Sequence, residues 1–395
     1  MKKDYHSVWE QDAASSSLAT RTKNAGMAFS HSCIFLLNAR LEDHKCNMPV
    51  AYCCHQFVNW WLLLSALCAD ANESRHSAKS PHSGAQVFLE NRKNYAILNA
   101  ERGCYHIMKI GVSIEPYGKA ANCFGEEVFQ KLGSFGFSAI DYNISGTKYE
   151  LYSMDDAAFE QRLRQEKAAA QEAGLVIHQM HGPWRSPPRD ATPEDRQERM
   201  EKMKRSIQAA HLLGCKYWVI HPIMPYGALD LDTEDPPKTW AVNKEFMHEL
   251  LQYAKEQNIT ICLENLPMRK FSLAHPEQVL KFVKEMNDDH FKICLDTGHA
   301  ALFPEVSLPD IVRQMGKELK ALHIHDNMGD RDFHMWPTKG IIDWPGFMKA
   351  LKEIGFEGVF SLETAPDSKL EYEPYEQAFM QLCDIAKKVT QATCE

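Results

Sequence analysis

Ile293-Cys294-Leu295-Asp296-Thr297-Gly298-His299 is a short apolar run that ends on a carboxylate, a glycine and an imidazole. Seven more short runs are spaced along the chain between residues 109 and 363. With this one, the strand candidates are Lys109–Ile114, Ala139–Asn143, Val176–His181, Tyr217–His221, Thr260–Glu264, Lys292–Asp296, Ala321–His325 and Val359–Glu363. Most are continuously apolar rather than alternating, as expected of strands covered on both faces. Helix signals fall between them. Thr192-Pro193-Glu194-Asp195 offers an N-cap, a proline at the first helical position and early acids. Gly174, Gly214 and Gly355 stand where helices should stop. Eight strand–helix units in roughly 290 residues predict an α/β chain folded as a (β/α)₈ TIM barrel over residues 108–395. An open doubly wound sheet is the runner-up, but no GxGxxG follows the first strand.

In a parallel barrel, function collects at the C-terminal ends of the strands. Six consecutive strands here deliver a histidine or a carboxylate to that rim: His181, His221, Glu264, Asp296 with His299, His323 with His325, and Glu363. Taken singly, a carboxylate after a strand is usually a helix cap and a histidine a hydrogen-bonded structural residue. Glu264, Asp296 and Glu363 brought together across one barrel mouth would repel one another, and need a cation or bound protons to be tolerated. An imidazole adds a neutral nitrogen donor. His323 and His325 are two apart on one strand and face the same side. His325 lies nearer the rim and is read as the ligand, with His323 as a packed second-layer residue. Mixed oxygen and nitrogen ligation suits one divalent metal, Mn²⁺, Mg²⁺ or Co²⁺, and Zn²⁺ also fits.

The remainder of the chain reads differently. Before Met108 no sustained period occurs, whereas Met108-Lys109-Ile110-Gly111-Val112-Ser113 resembles a native start followed by a first strand. Residues 1–107 are therefore read as a poorly ordered extension or non-native upstream sequence. A small extra domain is the alternative. The cluster His44, Cys46, Cys53, Cys54 and His55 matches no standard zinc spacing. Phe57–Ala69 is apolar but short of the ~20 residues a spanning helix needs. Twelve scattered cysteines without a CxxC pair argue for a reducing compartment, hence the cytoplasm. A net charge of -9 argues against a nucleic-acid binder that relies on bulk positive charge.

The segments His181-Gly182-Pro183-Trp184, Val219-Ile220-His221-Pro222, Leu263-Glu264-Asn265, Cys294-Leu295-Asp296-Thr297-Gly298-His299-Ala300, His323-Ile324-His325-Asp326-Asn327 and Ser361-Leu362-Glu363 together resemble the xylose isomerase-like barrel superfamily of sugar isomerases and epimerases. The resemblance runs from about Met108 to Lys388. It implies that Glu264, Asp296, His325 and Glu363 ligate one divalent metal. It implies further that Glu264 and Glu363 exchange protons with the substrate carbon from opposite sides, and that His299 and Arg331 contact substrate oxygens. His181, His221 and Trp184 are also expected to contact substrate, Trp184 by stacking on a sugar's C–H face, with packing under a loop as the alternative for that ring. The chemistry is coherent: a metal polarises a carbonyl and stabilises an enediolate, while carboxylates beside it act as base and acid. The implied substrate is a small sugar or sugar phosphate.

One departure concerns charge. Ketose 3-epimerases carry a second acid shortly after the fifth-strand glutamate, where this chain has Lys270. Arg269 and Lys270 would favour a phosphorylated or carboxylated sugar, unless they are solvated loop charges. A distant resemblance to zinc endonucleases of the endonuclease IV type supplies the second reading, a phosphodiesterase with further metal ligands at Asp332 and His334 in the DxH run Asp332-Phe333-His334. A barrel that binds a sugar metabolite without turning it over is the third. The sequence leaves the oligomeric state open; such barrels often pair, which admits a homodimer or homotetramer.

Overall fold

The computed structural model describes residues 108–184, 190–225 and 233–391. The extension expected over residues 1–107, its His/Cys cluster and its apolar segment lie outside the described residues. Eight parallel strands alternate with helices: β1 Lys109–Ile114, α1 Lys119–Phe124, α2 Val128–Phe135, β2 Ala139–Asn143, α3 Asp156–Glu172, β3 Val176–His181, α4 Pro193–Leu213, β4 Tyr217–Ile220, α5 Pro236–Glu256, β5 Thr260–Glu264, α6 Pro276–Met286, β6 Phe291–Asp296, α7 Thr297–Ala301, α8 Leu308–Met315, β7 Leu319–His323, α9 Trp344–Glu353, β8 Val359–Leu362 and α10 Tyr372–Gln391. Sheet order runs β7-β6-β5-β4-β3-β2-β1-β8. Its ends meet through a parallel bridge between Ile324 and Leu362, where the Ile324 N–H donates to the Ser361 carbonyl at 2.8 Å and the Glu363 N–H to the Ile324 carbonyl at 3.0 Å. The fold is the expected (β/α)₈ barrel. β7 departs most from its expected bounds, beginning and ending two residues earlier.

The strand period of two divides the residues between core and site. Outward side chains pack against the helices in one large apolar core. Inward, Val219, Cys262, Cys294 and Ala321 form a separate small cluster inside the barrel. Two residues further along the same strands stand His221, Glu264, Asp296 and His323. The interior is thus a plug of small apolar side chains capped by a polar layer at the C-terminal end. Helix ends follow the sequence signals. Thr192 Oγ1 accepts the Asp195 N–H at 3.1 Å ahead of α4, and Asp343 Oδ1 accepts the Gly346 N–H at 3.0 Å ahead of α9. Gly214 closes α4 at φ 79°, a left-handed conformation that favours glycine. No described helix is long and apolar enough to cross a membrane.

The last helix seals the β8–β1 side. Phe379 of α10 is fully buried, and its ring lies 5.1 Å from Tyr375, 6.0 Å from Phe124 and 6.3 Å from both Phe135 and Phe137, centroid to centroid. Removing such a side chain loses its transfer energy and leaves a cavity. Phe379→Ala is expected to lower the unfolding free energy by about 3–5 kcal/mol, read from urea denaturation at fixed metal concentration.

Candidate metal centre

Each ligand candidate is aimed by its own strand end. Glu264, the last residue of β5, is fully buried. Asp296 ends β6 and caps α7, its Oδ1 accepting the His299 N–H at 2.6 Å. Asn265 holds the Asp296 backbone on both sides: its Oδ1 accepts the Asp296 N–H at 2.9 Å, and its Nδ2 donates to the Asp296 carbonyl at 3.0 Å. Donor atoms of Glu264, Asp296, His323 and Glu363 lie within 4.8 Å of one another. His323 Nδ1 is 3.0 Å from Glu264 Oε1 and 3.2 Å from Glu363 Oε2.

The imidazole grouped with the three carboxylates therefore belongs to His323, the residue read as second-layer, rather than to His325. Strand register explains the placement. Asp296 pairs with His323 across β6 and β7, so the ring stands level with the carboxylates. β7 stops at His323, and His325 lies beyond it. His325 Nε2 still approaches Asp296 Oδ2 at 3.0 Å, but it joins a second group with His299, Asp332 and His334. Gly298 makes room for it: a Cβ there would lie 2.0 Å from His325 Cε1. A third group, His181, His221 and Glu264, shares its carboxylate with the first.

The second group's hydrogen bonds define its proton inventory. His299 Nδ1 lies 2.9 Å from the Asn265 carbonyl and His334 Nδ1 2.7 Å from the Glu363 carbonyl. Carbonyls only accept, so both Nδ1 atoms carry protons. Both Nε2 atoms point at Asp332 Oδ2, at 3.1 and 3.3 Å. Without a metal they must be protonated as well; with one, they offer lone pairs. Glu264 Oε2 and Glu363 Oε2 of the first group, and His325 Nδ1 of the second, are buried without a well-aligned hydrogen bond, although imidazole nitrogens approach the two oxygens at 3.1 to 3.4 Å. Buried donor atoms left open in this way fit a ligand set, and their oxygen and nitrogen mix fits a borderline or hard divalent cation.

Other expected site residues are distributed unevenly. His181 Nε2 and His221 Nε2 lie 3.4 and 3.1 Å from Glu264 Oε2. The Trp184 ring packs edge-on against His221 at 4.3 Å. Arg331, expected to contact substrate, is exposed on the loop after β7, and so are Arg269 and Lys270 on the loop after β5. A cavity of about 380 Å³ opens beside Glu363 and His334, with Ser113, Asn143 and Thr364 in its wall. Sequence reasoning passed over Asp141 and Gln179, both buried inside the barrel. The signal was Asp141 itself, an acid in the middle of the buried strand Ala139-Ile140-Asp141-Tyr142-Asn143.

Charges balance through shared protons when no metal is bound. Burial raises the Glu264 pKa, but His323, His221 and His181 outweigh it and hold the carboxyl well below its usual range. Burial lowers His221, to about 4, so that ring is neutral. Burial also opposes protonation of His299 and His334, yet the carboxylates around them win: Asp296 and Asp332 raise His299 to about 10, and Asp332 and Glu363 raise His334 to about 9. Both rings thus gain proton affinity on folding from the ordinary value of 6.5. In chelator-treated protein their contribution to stability is complete below 6.5 and fades as pH rises through about 9 and about 10. Denaturation of metal-free protein across that range should show falling stability; a flat profile contradicts the assignment.

Several of the matching proteins are named as sugar epimerases or inosose isomerases. D-psicose 3-epimerase of Enterocloster bolteae is 24% identical over 268 residues, 65% of this chain and 82% of that protein. The crystal structure of a D-tagatose 3-epimerase-like protein superposes with a TM-score of 0.58 at 24% identity, covering 73% of this chain and 98% of that one. That of the IOLI protein with a bound zinc atom does so at 0.57 and 19% identity, covering 71% and 98%. Two further curated relatives are spanned over only 59% and 54% of their own length. Residues 129–388, more than half of the chain, match the family model described as xylose isomerase-like TIM barrel, and the chain belongs to that family.

Proposed function

We propose that this protein is a metal-dependent isomerase or epimerase of a small sugar or sugar phosphate. The observation that carries the reading is the convergence of Glu264, Asp296, His323 and Glu363, three of them fully buried, on one small volume at the C-terminal end of the barrel. The name of the epimerase relative and the zinc in a structural neighbour agree with it. The grouping of His299, Asp332 and His334 is what the phosphodiesterase reading expects as well, but no relative named above carries that activity, and nothing supports the non-catalytic barrel.

The four side chains hold one divalent cation, Mn²⁺, Mg²⁺, Co²⁺ or Zn²⁺. When bound, it supplies Lewis-acid polarisation of a substrate carbonyl oxygen and offsets the charge of the carboxylates. The residues do the rest. Glu264 and Glu363 face the same volume from β5 and β8, strands separated by β6 and β7 around the barrel wall. One removes a proton from the substrate carbon and the other returns one from the opposite side; return to the neighbouring carbon gives isomerisation instead. His181 borders the site and orients a substrate oxygen. The cavity beside Glu363 takes the unreacting end of the sugar. His299, Asp332 and His334 form a second, separate cation site, supported by the two carbonyl-fixed imidazoles that aim Nε2 at one carboxylate.

A panel of ketoses and ketose phosphates in D₂O with Mn²⁺, followed by NMR, should show deuterium entering at a carbon beside the carbonyl. Glu264→Gln and Glu363→Gln should each reduce that exchange at least 100-fold, within the usual range for loss of a general acid or base, with circular dichroism unchanged. Full exchange in either variant refutes the two-carboxylate mechanism. Elemental analysis of metal-saturated protein should give two ions per chain and one in His334→Ala; an equal content in the two proteins rules out the second site.

A further inference from the structure

Below the polar layer, the barrel interior holds a carboxylate that no step above uses. Asp141 projects inward from β2 and is 1% exposed. Its Oδ2 accepts a hydrogen bond from Gln179 Nε2 at 2.9 Å and lies 3.0 Å from His323 Nε2. Gln179 is held in turn, because Nε2 also donates to the Leu322 carbonyl across the barrel at 3.1 Å. All three side chains are shut away from solvent: Gln179 and His323 are 0% exposed. A buried acid costs several kcal/mol unless it is paired, so one placed in an otherwise small and apolar barrel plug requires a reason. Among the described residues, the one imidazole within ion-pair distance of it belongs to His323, the ring that meets Glu264 and Glu363 on its other edge.

We infer that Asp141 is a positioning residue for His323, and that Gln179 fixes Asp141 in that task. The imidazole has two ring nitrogens and can present a lone pair on one only if the other keeps the proton. Asp141 holds the proton on Nε2, which leaves Nδ1 directed at Glu264 and Glu363. This rests on the cation site proposed above, since Nδ1 is the atom that would enter it. The same contact also fixes the plane of the ring. An imidazole pinned on one edge cannot turn away when the carboxylates above it close on a ligand. The contact is an ion pair by distance, and Nε2 makes no other polar contact among the described residues. A carboxylate that holds the second nitrogen of a metal-bound imidazole raises its basicity and sets its orientation, and loss of such a partner typically costs 10–100-fold in metal affinity.

Asp141→Asn keeps the shape of the side chain and removes its charge. Two readouts separate positioning from mere support of the fold. The first is ¹⁵N-edited NMR of the His323 ring, with and without Zn²⁺. The full-length protein should show a slowly exchanging Nε2–H in both states, and Asp141→Asn should lose that protection. The second is Zn²⁺ affinity by competition with a chromophoric chelator. It should fall about 10–100-fold in Asp141→Asn and also fall in Gln179→Leu, a variant that leaves the Asp141 charge in place. Unchanged Nε2–H protection together with unchanged affinity in Asp141→Asn overturns the inference. Should Asp141→Asn fail to fold, Gln179→Leu decides it on the same two readouts. Failure of the unsubstituted protein to bind Zn²⁺ would instead remove the cation site, and the His323 Nε2–H signal in metal-free protein would still decide the role of Asp141.

Discussion

Three carboxylates, from Glu264, Asp296 and Glu363, are drawn into one small and largely water-free volume, and their repulsion constrains the rest of the site. Each carboxylate buried without compensation is expensive, and each added near another raises that cost. The molecule answers with imidazoles. His181, His221 and His323 all approach Glu264, while His323 also reaches Glu363 and His325 reaches Asp296. In the absence of a metal, the protonated His181 and His323 rings, whose proton affinity the carboxylates raise, supply the missing positive charge. A divalent cation would supply it in a more compact form and free imidazole nitrogens as donors, which would couple metal affinity to proton release.

The barrel makes such a concentration of charge tolerable. Every strand ends at the same rim, so residues 264 to 363 in sequence become neighbours without any loop having to reach inward. Rigidity comes from below and from the sides. The small-residue plug of Val219, Cys262, Cys294 and Ala321 leaves no room for the polar layer to sink. Asn265 clamps the Asp296 backbone, and Gly298 lets α7 pass directly beside the His325 ring. A set held this way is arranged before substrate arrives, which is the condition under which electrostatic stabilisation is most effective.

Much of this was legible in the sequence, for a physical reason. Strands buried on both faces must be apolar, so a polar residue that ends one stands out against it, and six did so in succession. Eight apolar runs with capped helices between them were enough for the barrel, and the strand bounds agreed to within two residues. The choice between His323 and His325 was not legible. Both face inward, and only the register with β6 shows which ring stands level with Asp296. Arg331, expected to contact substrate, lies exposed on its loop, and a loop residue carries no periodicity to show where it points. Asp141 and Gln179 lie within β2 and β3 rather than at the strand ends where a polar residue stands out.

The most direct test of the account is anomalous X-ray scattering from crystals grown with Mn²⁺. The account predicts a peak within bonding distance of Glu264, Asp296, His323 Nδ1 and Glu363 together. Strong diffraction with no anomalous peak among those four side chains would contradict it.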